Sequence, residues 1–446
     1  MEKRGIPTVT VCTKGFDVLG QAEAKSLGVA ALPILTIPVE ARFKAKDTEA
    51  AADTLIDQIA SVFTRSLEKV ASEFADKHPP IEIEDSLSRP KQSLSMAPVD
   101  VTSIEEATDL FYQQGWTDGL PIVAPTRERV ERMLTYTDRE RDEVIALIPP
   151  RWAKATVEKI AINAVMAGCL PEYGPVILTA VQAMSEPEFG LATIQATTNP
   201  VAPLAVVNGP IAKEVGINSR FNVFGPGWRS NATIGRAIRL ILINIGGALP
   251  GTTDKAIQGQ PGKYTFCIAE NEDESPWEPL HVERGFPRQV STVMVIGVQA
   301  THNFIVLDRT TRSILQLSAD AMITLGTNNM FYGGNTAMAL NPQLAAILAN
   351  EGYSKDDFRQ YLFEHARVPL SKFPPDSLGL LKMRRSRYDF GSGETVIPVA
   401  DRKEEIIVIV TGAGGGHGQY LPTLGTDTVP VIKPITLKNG TPVKSI

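Results

Sequence analysis

The chain has 446 residues, too many for one ordinary core, so two or three domains are expected. Hydrophobic residues make up 43% and charged residues 21%, the balance of a globular protein, and a net charge of −6 leaves no basic footprint for nucleic acid. The longest apolar stretch, around residues 238–245, is far short of a membrane span, so neither nucleic acid nor membrane is an expected partner. The start MEKRGIPTVTVCTKGF lacks an apolar stretch ending in a small-residue cleavage site, so no signal peptide is read. Three cysteines without paired spacing argue for a reducing compartment, and the cytoplasm is the expected location.

Residues 8–12 (TVTVC) read as a short strand and 17–27 as a helix stopping at Gly28. Residues 33–37 (PILTI) read as a second strand and 48–74 as a long helix. Strand, helix, strand, helix predicts a small βαβ domain with a parallel pair over residues 1–76. Cys12 falls at the C-terminal end of the first strand, where open α/β sheets bind ligands. A small apolar residue in a strand is an equal reading. Residues 77–101, rich in Pro, Ser and charge, read as a linker, and 102–446 as a larger mixed α/β domain carrying the site.

In that larger domain, Ser103 with Glu106 forms a capping box that opens a helix ending at Gly115. Asp118 lies in the turn WTDGLP, where an Asx-turn former is favoured over an exposed site carboxylate. A strand is expected at 122–124 and helices from Thr126 and Thr137. Residues 155–167 form an amphipathic helix that Gly168-Cys169-Leu170-Pro171 ends sharply, and 175–184 form the next. Residues 192–196 and 204–207 read as buried strands, each followed by a polar corner. The strand–corner–helix rhythm recurs without a detectable repeat of sequence.

Four stretches carry candidate chemistry. Gly225, Gly227 and Arg229 precede a helix for which Asn231 or Ser230 is the expected N-cap, an arrangement suited to a phosphate or carboxylate. An ordinary capped helix with a solvated arginine is the competing reading. Residues 263–269 read as a strand running into Glu270-Asn271-Glu272. If residues 281–283 have strand geometry, His281 and Glu283 face the same side, as a base with its orienting carboxylate or as two metal ligands. Glu270 and Glu272 repeat that spacing. Residues 404–410 (EEIIVIV) form the cleanest buried strand and empty into a turn containing Gly414, Gly415, Gly416 and His417, a glycine-lined wall for an anion or oxyanion. A plain flexible loop is the equal alternative.

The stretches VCTKGF and LGVAALPILTIP resemble the small UGSC-like domain. Farther on, WTDGLP, INAVMAGCLPEY, FGPGWRSNATIGRAIRL, PGKYTFCIAENEDESPWEPLHVERGF and TGAGGGHG resemble the UGSC family of (seleno)proteins. That name denotes a Sec-Gly-Ser-Cys motif, so the resemblance implies thiol or selenol chemistry in some members. The nearest string is Met166-Ala167-Gly168-Cys169, which keeps the last cysteine with Met in place of Sec; Cys12 is the other candidate.

The expectation is therefore an α/β enzyme using cysteine chemistry, redox or nucleophilic, on a small anionic or carbonyl/acyl substrate. Cys169 is its thiol, His281 the base and Glu283 the orienter. A metal-dependent hydrolase or lyase using Glu270, Glu272, His281 and Glu283 is the second reading, and a non-catalytic small-molecule-binding protein the third. The cofactor is left open, a bound metal or nucleotide included, and the partners expected are the substrate and further copies of the chain.

Overall fold

The computed structural model describes residues 8–14, 16–26, 28–29, 31–37, 45–76, 103–391 and 395–443. The linker expected at 77–101 lies outside the described residues. In the N-terminal unit, β1 (Thr10–Thr13) and β2 (Ile34–Ile37) pair in parallel around α1 (Asp17–Ser26), the expected βαβ arrangement. The expected long helix is two helices, α2 (Ala45–Thr64) and α3 (Leu67–Asp76). The break lets Val62, Val70 and Phe74 meet in one small core with Val9 and Leu35.

The larger region starts with α4 (Ile104–Gln113), whose Ser103 Oγ accepts from the Glu106 N–H, and α5 (Arg127–Leu134), capped by Thr126. Where a helix from Thr137 is expected there is an antiparallel hairpin, β3 (Val144–Ile148) with β4 (Ala153–Thr156). The strand expected at 122–124 is irregular backbone. Then come α6 (Val157–Ala167), ended by Gly168 at φ 90°, and α7 (Gly174–Met184). Residues expected as a strand at 192–196 are instead α8 (Leu191–Ala196), with Leu191 and Ile194, one helical turn apart, both buried.

Two four-stranded sheets follow. In chain order their parts are β5 (Ala202–Asn208), α9 (Pro210–Glu214), α10 (Arg229–Asn244), β6 (Cys267–Ala269), α11 (Leu280–Glu283) and β7 (Thr292–Val298). After them come β8 (His302–Ile305), α12 (Thr311–Met322), α13 (Asn328–Tyr332), β9 (Thr336–Leu340), α14 (Pro342–Asn350) and α15 (Lys355–His365). A small pair, β10 (Arg367–Pro369) with β11 (Val396–Pro398), encloses α16 (Leu378–Arg384). The chain closes with β12 (Ile406–Val410), β13 (His417–Leu421) and β14 (Val431–Pro434).

The sheet orders are β14-β7-β5-β6 and β12-β9-β13-β8. Strand alternation stacks them face to face. Leu204, Val206, Ile268, Met294 and Ile296 of the first sheet pack on Ala337, Ala339, Ile407, Ile409 and Leu421 of the second. The other face of the first sheet, through Ala205, Val207, Val293 and Val295, is covered by α6, α7 and α10. The other face of the second, through Met338, Leu340, Val408 and Val410, is covered by α12, α14 and α15. The result is four layers: helices, sheet, sheet, helices.

The sheets share one plan. In each, a strand leads through a helical crossover to a parallel neighbour, and the next strand of the sheet pairs antiparallel on the other side. The order is β5, α9, α10, β6, β7 in the first half and β9, α14, α15, β12, β13 in the second, where β10, α16 and β11 are inserted before β12. Each half's following strand crosses over: β8 joins the second sheet and β14 the first.

Candidate functional site

The parallel strands β9 and β12 end at a cleft of about 360 Å³. Carboxyl ends of parallel strands are where α/β sheets present ligands. Asn341, just past β9, caps α14 by accepting the Leu344 N–H (3.0 Å). Its Nδ2 donates to the carbonyls of Gly415 (3.0 Å) and His417 (2.7 Å), so one side chain ties the helix start to the glycine turn. That turn needs its glycines: Gly412 sits at φ 95°, and a Cβ on Gly416 would lie 2.6 Å from the Val306 carbonyl. The N–H groups of Ala413, Gly414 and Gly415 donate to no protein group among the described residues. Successive unpaired N–H groups are a binding surface for negative charge.

The opposite wall comes from the first half, through Arg220, Asn222, Val223, Phe224 and Gly225. Asn222, at φ 59°, donates from Nδ2 to the Pro226 carbonyl (2.7 Å), and its amide fills the space a Cβ on Gly225 would need. Arg220 pairs with Glu274 at 3.1 Å, and both side chains are exposed. Such a pair contributes at most about 1 kcal/mol, so the guanidinium is available to a better partner. His417 stands at the rim with Nδ1 3.2 Å from Asn303 Oδ1. Donation from Nδ1–H to that oxygen leaves Nε2 as an acceptor.

The matching corner of the first half is filled by the chain itself. Asn208, at the end of β5, donates from Nδ2 to Glu270 Oε2 (2.6 Å) and Glu272 Oε1 (3.0 Å). Glu272 also accepts the Gly209 N–H (2.6 Å), and Glu270 the Leu280 N–H (2.6 Å) and the Val410 N–H (3.4 Å). Lys355, at the start of α15, reaches across to Glu270 (3.5 Å) and Glu283 (3.2 Å). The two corners touch: Asn271 N–H donates to the Val410 carbonyl (2.7 Å), and Thr411 Oγ1 donates to that of Ala269 (2.8 Å).

Two geometric expectations need correction. Residues 280–283 are helical, so His281 and Glu283 point different ways. Glu283 is taken by Arg359 and Lys355, while His281 is fully buried, its Nε2 3.3 Å from the Arg288 carbonyl and its Nδ1 3.9 Å from Glu272. A helix brings i and i+4 together, not i and i+2. For the same reason Glu270, Glu272, His281 and Glu283 do not share one point. Among the described residues, no three His, Cys, Asp or Glu side chains are grouped to hold a metal ion.

The second correction concerns the turn before α10. Its N-cap is Trp228, not Asn231 or Ser230. Ser230 Oγ donates to the Gly216 carbonyl, and Asn231 Nδ2 donates to the carbonyls of Asn218 and Cys267. Arg229 donates from Nε and Nη2 to the Gly168 carbonyl at 3.1 and 2.9 Å, capping the end of α6. Gly227, at φ 126°, serves the turn, and of this stretch Gly225 alone reaches the cleft.

Asp118 makes the expected Asx turn with the Leu120 N–H and a bidentate pair with Arg236 (2.8 and 2.9 Å). Burial alone would raise its pKa, but the bonds and charge of Arg236, with the Leu120 N–H and the Thr117 hydroxyl, hold it below the ordinary value.

Cys169 is 8% exposed, and its thiol donates to the Thr233 carbonyl (3.2 Å). Burial pushes its pKa up to about 12, against the bond to Thr233 and the charges of Arg229 and Arg236. Cys267 is likewise buried and raised. Neither environment favours a thiolate. Cys12 is half-buried, its pKa raised by burial and then by Asp17.

Of the predicted residues, the structure brings Gly225 and His417 to the cleft, with Gly414, Gly415 and Gly416 in the turn that frames it. Sequence reasoning missed Arg220, Asn222 and Asn341. The one usable signal was Asn341-Pro342 after a strand, an echo of Asn208-Gly209-Pro210. Neither a curated protein nor a solved structure matches the chain. Residues 1–65, which hold Cys12 and none of the cleft residues, match the model of the UGSC family.

Proposed function

We propose that this protein is an enzyme acting on a small anionic or carbonyl-bearing molecule held at the carboxyl ends of β9 and β12. The observation that carries the reading is that Arg220, Ala413 with its unpaired N–H, and His417 line one cavity of about 360 Å³, with Gly414 and Gly415 in the adjoining turn. That volume suits a small ligand, for which pockets run from roughly 300 Å³ upward. The arginine and the N–H groups hold negative charge, and His417 exchanges a proton through Nε2 while Asn303 orients the ring. The test is the imidazole NMR signal of His417, assigned with His417→Gln, during titration of the full chain with acetate, malonate, phosphate and acetamide. A saturable shift with at least one probe is expected. No shift with any of them removes the reading.

A second reading keeps thiol chemistry and moves it to Cys12. What favours it is that Cys12 alone of the three cysteines is not fully buried and lies within the UGSC-matched stretch. Iodoacetamide near neutral pH should then label Cys12 and leave Cys169 and Cys267 untouched. Labelling of Cys169 in the native protein would return the chemistry to the central block.

A further inference from the structure

The two corners are equivalent by strand register, and the register says what differs between them. Val207 pairs with Ala269 as Leu340 pairs with Val410. One residue on, Asn208 therefore matches Asn341, and Glu270, Asn271 and Glu272 match Thr411, Gly412 and Ala413. β5 ends in Asn208 and β9 is followed directly by Asn341, and each leads into a helix that begins with Pro. The crossing pieces match as well. Lys355, at the start of the second half's α15, reaches into the first half's corner, and residues 220–225, leading to the first half's α10, wall the second half's.

In the first half, two carboxylates of the chain occupy the corner. They rest on the N–H groups of Gly209 and Leu280 and on the amide of Asn208, with Lys355 as counter-charge. In the second half the same positions carry Thr411 and Ala413, which bring no charge. A cavity lies there instead, lined by Arg220 and by Ala413, whose N–H donates to no protein group among the described residues. Among the described residues, only the exposed Glu274 neutralises Arg220.

We infer that the cleft binds a carboxylate of its ligand, with Arg220 as the counter-charge that Lys355 provides for Glu270. This rests on the cleft being the binding site, and it narrows the ligand to small carboxylic acids. Glu270 and Glu272 are the chain's own stand-ins for that group. A planar two-oxygen anion accepts from N–H groups on one edge and from a guanidinium on the other, as Glu270 does with Leu280 N–H and Lys355. Arg220 is also the one arginine or lysine among the described residues lining the cleft, so it offers a single fork for one carboxylate group.

The experiment compares malonate, acetate, malonamide and phosphate on the full chain, followed by the His417 signal and by calorimetry. Malonate and acetate should bind, with malonamide and phosphate weaker by about tenfold or more, the worth of one charge-assisted contact. Arg220→Gln should lose about the same factor for malonate, and Arg220→Lys should recover most of it. Because Arg220 is exposed, both variants should keep the melting temperature, which is measured alongside. Equal binding of malonamide, preference for phosphate, or malonate binding indifferent to Arg220→Gln overturns the carboxylate assignment and leaves the cleft as a site. If no probe moves His417, the cleft reading itself fails.

Discussion

The two halves of the large region follow one plan and put the same corner to opposite uses. In the first, the ends of β5 and β6 hold Glu270 and Glu272 among Asn208, Lys355 and backbone N–H groups. In the second, the ends of β9 and β12 hold Asn341, Thr411 and a glycine turn around an open cleft. The contrast separates two fates of polar groups at strand ends. Where the chain supplies both the charge and its partner, the corner is structural, and breaking it costs stability. Where the chain supplies donors and leaves them unmatched, the corner fits the ligand-binding role proposed above.

The largest effect should come from breaking the filled corner. Lys355 is 7% exposed and serves Glu270, Glu283 and the Glu278 carbonyl at once. Lys355→Met leaves Glu270 buried without its cation, while Glu283 keeps Arg359, and should cost about 3–5 kcal/mol. The corresponding change on the open side, Arg220→Gln, should stay within about 0.5 kcal/mol because that pair is solvated. Urea midpoints of both variants decide the matter, and equal losses would erase the distinction between a structural and a binding corner.

Acid sharpens the same contrast from another side of the first half. Asp118 and Arg236 bolt the WTDGLP turn to α10, with side chains 3% and 13% exposed. Asp118→Asn should cost about 3 kcal/mol at pH 7, the scale for removing one member of a buried pair. Since the folded pKa of Asp118 lies below its unfolded value of about 4, its contribution is complete above that value and is lost as pH falls through the folded one. The gap between the two proteins should therefore hold from pH 7 to 5 and close toward pH 3. A gap still full at pH 3 would mean that Asp118 acts through packing rather than charge.

How much of this was legible in the sequence depends on how local the signal is. EEIIVIV followed by glycines announced a buried strand and a turn, and β12 with its turn lies there, though Glu404 and Glu405 fall in a short 3-10 segment before the strand. Ser103 with Glu106 and Gly168 marked helix ends correctly, because caps are decided within a few residues. Four residues at 280–283 are too few to show a period, so His281 and Glu283 were open to misreading as strand neighbours. Arg220 was invisible for a different reason. It reaches the cleft from the other half of the fold, and only the stacking of the two sheets brings it beside residues 411–417. The shared plan was equally hidden, since register and strand order repeat where residue identities do not.

The smallest effect distinguishes two arginines nine positions apart. Arg229 belongs to the filled, structural side. Its guanidinium donates twice to the Gly168 carbonyl at the end of α6, and it is absent from the cleft wall. A cap of this kind contributes about 0.5–1 kcal/mol, since exposed donors lose water in order to satisfy a helix-end carbonyl. Arg229→Ala should therefore lower the melting temperature slightly and leave malonate binding unchanged, the reverse of Arg220→Gln. Measuring both variants by calorimetry and thermal unfolding sets the two outcomes side by side. If Arg229→Ala weakens malonate as much as Arg220→Gln does, the anion site lies at the start of α10, and the cleft at β9 and β12 is not where the ligand's charge is held.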